Sequence, residues 1–100
     1  MGKLVRDRIP EIMTTAGLSP ETRILDSAAY LDSLFAKLVE EAEELRDAAP
    51  PRRLEEAGDV LEVFTTLLAA LGYSLSDVAA VAAEKREERG GFADRIWLES

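Results

Sequence analysis

The sequence predicts an all-α fold, an antiparallel helical bundle, on three observations. Apolar residues recur at helical spacing in three long stretches. Capping residues, Gly or Pro mark the ends of those stretches. The connections between them are short, which makes consecutive helices antiparallel neighbours. The chain has 100 residues and suits a single domain over 1–100, with no repeat or linker to divide it. Its 47% apolar content is ordinary for a globular protein.

Each element has its own justification. Residues 3–9, KLVRDRI, are basic and mixed. Pro10 fits the first turn of a short helix over about 10–16, which Gly17 can close. LSPET reads as a turn, and TRIL at 22–25 as a short β-leaning segment. Asp26 or Ser27 can cap a long helix over about 27–48. AAPPRR breaks it, and Pro51 suits the start of a second long helix over about 52–71, closed by Gly72. Ser74 or Ser76 caps a third over about 75–89, ended by Gly90-Gly91. The tail FADRIWLE contains a second extended segment near 94–98, and its RIWL could pair with RIL at 23–25 as a small β-ribbon.

Composition removes several kinds of chemistry. There is no Cys, hence no disulfide, thiolate metal site or Cys nucleophile. There is no His, so the commonest general base and zinc ligand are missing. A metal site in this chain must be built from oxygen, which points to a hard cation, Mg²⁺ first and Mn²⁺ second. The net charge of −8 argues against nucleic acid or an anionic membrane as the main partner. No apolar run approaches transmembrane length, and the N-terminal residues do not resemble a signal peptide. The expected location is cytoplasmic.

The first long helix contains KLVEEAEELRDA. Leu31, Leu34, Leu38 and Leu45 form its apolar stripe, and Glu41 falls on that stripe where another Leu is expected. Residues three apart share a face, so Glu41 pairs with Glu44, and Glu56 with Asp59 at the start of the next helix. The hairpin brings both pairs to one end, facing each other. At ~4 Å and an effective dielectric of ~20, each close pair costs on the order of 4 kcal/mol. One or two divalent cations reverse the sign of that term. The plainer reading is a solvated Glu-rich face, since Glu is a good helix former. The phase of Glu41 and the opposing second pair favour a site.

KLVEEAEEL followed by LEEAGDVLE resembles the EExxE … ExxD signature of the all-α nucleoside triphosphate pyrophosphohydrolases, the MazG-like superfamily. KLVRDRIPEI, TRIL and EKREERGGFADRIWLE are similar to a branch of small bacterial and archaeal proteins described as phosphoribosyl-ATP pyrophosphohydrolase-like. The resemblance covers almost the whole chain. It implies a helical bundle that assembles into dimers or higher oligomers. It also implies hydrolysis of a nucleoside triphosphate to monophosphate and pyrophosphate with Mg²⁺. By the motif, the ligands fall on Glu41, Glu44, Glu56 and Asp59, and Glu40 orients or activates water. The chain departs from the pattern in its spacer: eleven residues separate Glu44 from Glu56, just short of the usual family range.

A triphosphate needs cations besides the metal. On the third long helix Val78 and Val81 are expected to face inward, and steps of four lead from Val81 to Lys85 and Arg89. These two either grip phosphate or complement the helix dipole; in similar proteins this segment is associated with substrate phosphates. Lys3, Arg6 and Arg8 either join the pocket or pair with surface acids, and Arg6 is the third phosphate candidate. Trp97 reads as a packing anchor before a base-stacking group. From Val60 to Leu71 the second long helix is so widely apolar that the arc, Phe64 and Leu67 included, is either fully buried or a homo-oligomer interface.

The expected function is a Mg²⁺-dependent nucleoside triphosphate pyrophosphohydrolase, acting on non-standard nucleotides in one version. Two alternatives stay open: a phosphoribosyl-ATP pyrophosphohydrolase, and a non-catalytic oligomerisation or regulatory module.

Overall fold

The computed structural model describes residues 2–100; Met1 of the expected 1–100 domain lies outside them. The fold is all-α. Helix α1 runs over Ile9–Thr15, α2 over Ser27–Asp47, α3 over Arg53–Leu71 and α4 over Leu75–Arg89, with a single 3₁₀ turn at Pro50–Arg52 leading into α3. These spans lie within about a residue of the expected ones, because local chemistry fixes the ends. The Asp26 carboxylate accepts the Ala29 N–H at 2.8 Å and opens α2. Pro50 and Pro51 occupy a first turn where no N–H is required. Gly72, at φ 89°, supplies the left-handed residue that closes α3. Ser74 Oγ accepts the Asp77 N–H at 3.1 Å and opens α4.

Helices α2 and α3 form an antiparallel hairpin. Along one groove, Glu41, Lys37 and Leu34 descend α2 while Asp59, Val63 and Thr66 ascend α3. The core is small: Leu34, Leu67 and Leu68 are its buried apolar residues. Leu67 therefore belongs to the hairpin interior, 3% exposed, and not to an outward-facing part of the apolar arc.

Helix α4 does not fold back onto the hairpin. The chain bends by 102° between Pro50–Leu71 and Leu75–Arg89, so α4 runs nearly across the hairpin axis. Val78 is half-buried, but Val81 is 52% exposed, which corrects the expectation that it faces inward.

The suggested β-ribbon is absent among the described residues. Segments 22–25 and 94–98 carry no regular structure. Ile24 is 96% and Ile96 84% exposed, and Arg95 sits at φ 60°, outside extended geometry. A lone two-stranded ribbon with no apolar backing is marginal in water. Trp97, 81% exposed, is no packing anchor among the described residues.

The single chain leaves more surface uncovered than a compact monomer does. It exposes 8803 Å², against about 5,600 Å² for a compact monomer of this mass. Its radius of gyration is 17.4 Å, against about 13 Å for a compact 100-residue domain. Among the described residues no single helix is long and apolar enough to cross a membrane.

Candidate metal centre

The hairpin brings five expected acids into one cluster. Oxygens of Glu41, Glu56 and Asp59 lie within 4.8 Å of one another, and so do oxygens of Glu40, Glu41 and Glu44. Glu41 belongs to both groups and joins them. It reaches the centre because it occupies the core face of α2, seven residues after Leu34, and it is only 6% exposed. Glu56 and Asp59 sit on the first two turns of α3, one turn apart, and are half-buried. The short Pro-containing turn sets α3 beside the end of α2, so the eleven-residue spacer still closes the cluster.

Two buried carboxylate oxygens, Glu41 Oε2 and Glu56 Oε2, have no hydrogen-bond partner. Leaving such an atom unpaired costs roughly 1–3 kcal/mol, and more when it is charged. Their neighbours are acids, which compounds that cost. The Glu44 carboxyl is held above its ordinary value of 4.5, first by the neighbouring Glu41 carboxylate, which favours the protonated form as a hydrogen-bond acceptor and through its charge. A small loss of hydration and the charges of Glu40 and Glu56 add to the effect, although Glu44 itself is exposed.

Three cations offset part of the charge. Arg6 Nη2 donates to Asp59 Oδ1 at 2.7 Å. Lys37 Nζ lies 3.4 Å from Glu41 Oε1 and 3.6 Å from Glu40 Oε2. Arg52 Nη2 lies 3.6 Å from Glu56 Oε1. Five carboxylates against three cations keep an excess of negative charge that one divalent ion matches. The donors are all oxygen, two of them orphaned and buried, and this set fits a hard cation.

Grooves open on both sides of the cluster. One, of about 580 Å³, is lined by Glu40, Glu43, Glu44, Arg52 and Glu56. The other, of about 840 Å³, runs between residues 3–9 and the hairpin, with Glu41, Asp59 and Glu62 along its wall. Of the three phosphate candidates, Arg6 stands in this second groove. Lys85 and Arg89 are exposed on α4 and line neither groove, because of the bend after Gly72.

Lys37 and Arg52 were not singled out by the sequence pattern. Both stand four residues before an acid of the cluster, and i,i+4 spacing from Glu41 and Glu56 was the available signal.

No protein-family model matches the chain, and no solved structure matches it. The chain is 50% identical over 48 residues to an uncharacterised protein of Mycolicibacterium smegmatis. That match takes in 48% of this chain and 49% of the relative, so the chain spans about half the relative's length.

Proposed function

We propose that the protein is a Mg²⁺-dependent nucleoside triphosphate pyrophosphohydrolase that works as a homo-oligomer. One observation carries the reading: two buried carboxylate oxygens, Glu41 Oε2 and Glu56 Oε2, stand unpaired inside an acid cluster. A cluster on a solvated face would turn its oxygens to water; here two of them are held inside, where a cation is the natural partner. The resemblance to the MazG-like superfamily supplies the reaction class.

In this reading Glu41, Glu44, Glu56 and Asp59 hold the cation. A bound divalent cation would neutralise phosphate oxygens and ease attack at the α-phosphorus. Glu40 lies at the edge of the cluster, less than half exposed, within reach of both the cluster and solvent. Its carboxylate accepts the proton of the attacking water. The α–β bridging oxygen leaves with the pyrophosphate, and the monophosphate keeps the water's oxygen. Arg6 binds phosphate oxygens from the second groove. Lys85 and Arg89 complete the phosphate grip when α4 is brought in by another copy.

Assembly is supported by the uncovered surface. Phe35, Val39, Leu54 and Leu61 are exposed along the hairpin, and Phe92, Ile96, Trp97 and Leu98 along the tail. A soluble chain that leaves this much apolar side-chain area in water gains by covering it with a second copy.

The test is a panel of nucleoside triphosphates incubated with protein and Mg²⁺, read as pyrophosphate release. Turnover that needs the cation and is lost in E41Q and D59N supports the reading. Metal-independent turnover, or none with any member, defeats it.

A further inference from the structure

Each acid of the Glu41–Glu56–Asp59 triad is paired with one side-chain cation. Lys37 and Arg52 are helical neighbours of the acids they meet. Arg6 is different. It arrives from 53 residues away, on an irregular N-terminal strap, and ties that strap to α3 through a single charged hydrogen bond to Asp59. The pair is partly exposed, 60% at Arg6 and 36% at Asp59, so little is lost by opening it.

Arg6 already occupies one oxygen of Asp59, so a divalent ion at the triad competes with it for that carboxylate. A divalent ion bound by the triad sits about 2.0–2.1 Å from its oxygens. That places its charge within a few ångströms of the guanidinium and repels it. The ion pair is weakened, and Arg6 is released from Asp59 while the strap keeps it in the same groove. Lys3 and Arg8 stand on the same strap, and Lys37 stands on the hairpin wall opposite. Guanidinium geometry matches two phosphate oxygens, and a phosphate chain coordinated to the bound ion would place oxygens there.

We propose that Arg6 is an exchange ligand: it neutralises Asp59 until a divalent cation takes that carboxylate, and then grips, with Lys37, the phosphate chain the cation carries. The groove between the strap and the hairpin is thereby the subsite for a di- or triphosphate chain. Cation and polyanion binding are coupled through one arginine. The inference rests on the metal reading above, and its test separates the two.

The experiment is titration calorimetry on the full chain with two probes, Mn²⁺ alone and inorganic triphosphate in saturating Mg²⁺. Removing a competitor should tighten the first: R6A is expected to bind Mn²⁺ about two- to fivefold more tightly than the natural chain. Removing a phosphate ligand should weaken the second, by about tenfold or more. R6K keeps the charge but loses the fork, so it should bind Mn²⁺ as the natural chain does and triphosphate more weakly. Helicity of both variants is checked by circular dichroism. Unchanged or weaker Mn²⁺ binding in R6A overturns the exchange, as does undiminished triphosphate binding. Absence of Mn²⁺ binding in the natural chain and R6A alike overturns the metal reading itself, and the exchange with it.

Discussion

Glu41 stands seven residues after Leu34 on the same face of α2 and is buried almost as deeply, 6% exposed against 2%. A carboxylate occupies the position where the stripe calls for an apolar side chain. Lys37 neutralises one of its oxygens, and the other has no partner. The hairpin therefore gives up stability at this point, and a bound cation would restore it.

Glu41→Gln tests that directly. In chelator the variant removes an under-compensated buried charge, while Lys37 keeps Glu40 at 3.6 Å. Its melting temperature should rise, with a gain of about 1–3 kcal/mol. In Mg²⁺ the order reverses, because only the natural chain gains binding energy. Thermal melts of both proteins in chelator and in Mg²⁺ check this. Equal stability in all four conditions removes the metal centre.

Glu44 gives the pH dependence. Its folded value is raised above 4.5, so the folded chain binds the proton more tightly than the unfolded chain. Its stabilising contribution is full below 4.5 and is lost as the pH rises through the folded value. In chelator, stability should fall across that window, and Glu44→Gln should flatten the fall. In saturating Mg²⁺ the trend should invert, because the cation needs ionised carboxylates. Melts taken from pH 4 to 7 decide it; a slope that the amide leaves untouched assigns the dependence to another group.

The acid cluster was legible because it obeys helical periodicity. Glu41 in phase with Leu34, and Glu56 three residues before Asp59, needed only a short turn to meet. The cations were less legible. Arg6 reaches Asp59 from a strap with no period, so nothing in spacing could give its partner. Lys85 and Arg89 were placed by continuing the α4 register, which is sound within the helix. The register does not carry the 102° bend that takes the helix off the hairpin. The extended segments at 22–25 and 94–98 had suitable residues for pairing, but β-pairing depends on an apolar backing, which residue type alone does not report.

Assembly is tested by contrasting two leucines. Leu67 is 3% exposed inside the hairpin, so Leu67→Ala should cost about 2–5 kcal/mol and loosen the fold itself. Leu61 is 54% exposed, so Leu61→Glu should keep the helices and dissociate the oligomer. Analytical ultracentrifugation with circular dichroism separates the outcomes. A stable 11.0 kDa monomer of the natural chain at micromolar concentration rejects the oligomer.

Mixing variants tests whether another copy lends α4 to the site. K85A/R89A and E41Q should each be inactive alone. If Lys85 and Arg89 act on a second copy's acids, mixed dimers recover one intact site, and an equimolar mixture should regain about a quarter of natural activity. No recovery after verified subunit exchange places the two cations outside a shared site.

Under the proposed pyrophosphohydrolase reaction, the placement of these groups predicts which bond is cut. Glu41, Glu56 and Asp59, which would hold the cation, stand at the junction of the two grooves, and Arg6 stands in one of them. A triphosphate carried by that cation would lie along the strap with its β- and γ-phosphates toward the cationic side chains. Its α-phosphorus would lie nearest Glu40, a cluster carboxylate that is 43% exposed and so reaches solvent. Water would attack there, and pyrophosphate would leave as one unit toward Arg6 and toward the Lys85 and Arg89 that another copy would bring. Replacing Lys85 or Arg89 with Ala should weaken triphosphate binding or turnover by about 1.5–3 kcal/mol each, the scale of a charge-assisted contact, and leave Mn²⁺ affinity unchanged. Reaction in ¹⁸O-water should put the label in the monophosphate. Label confined to the pyrophosphate would move the attack to the β-phosphorus and take the water-activating role away from Glu40.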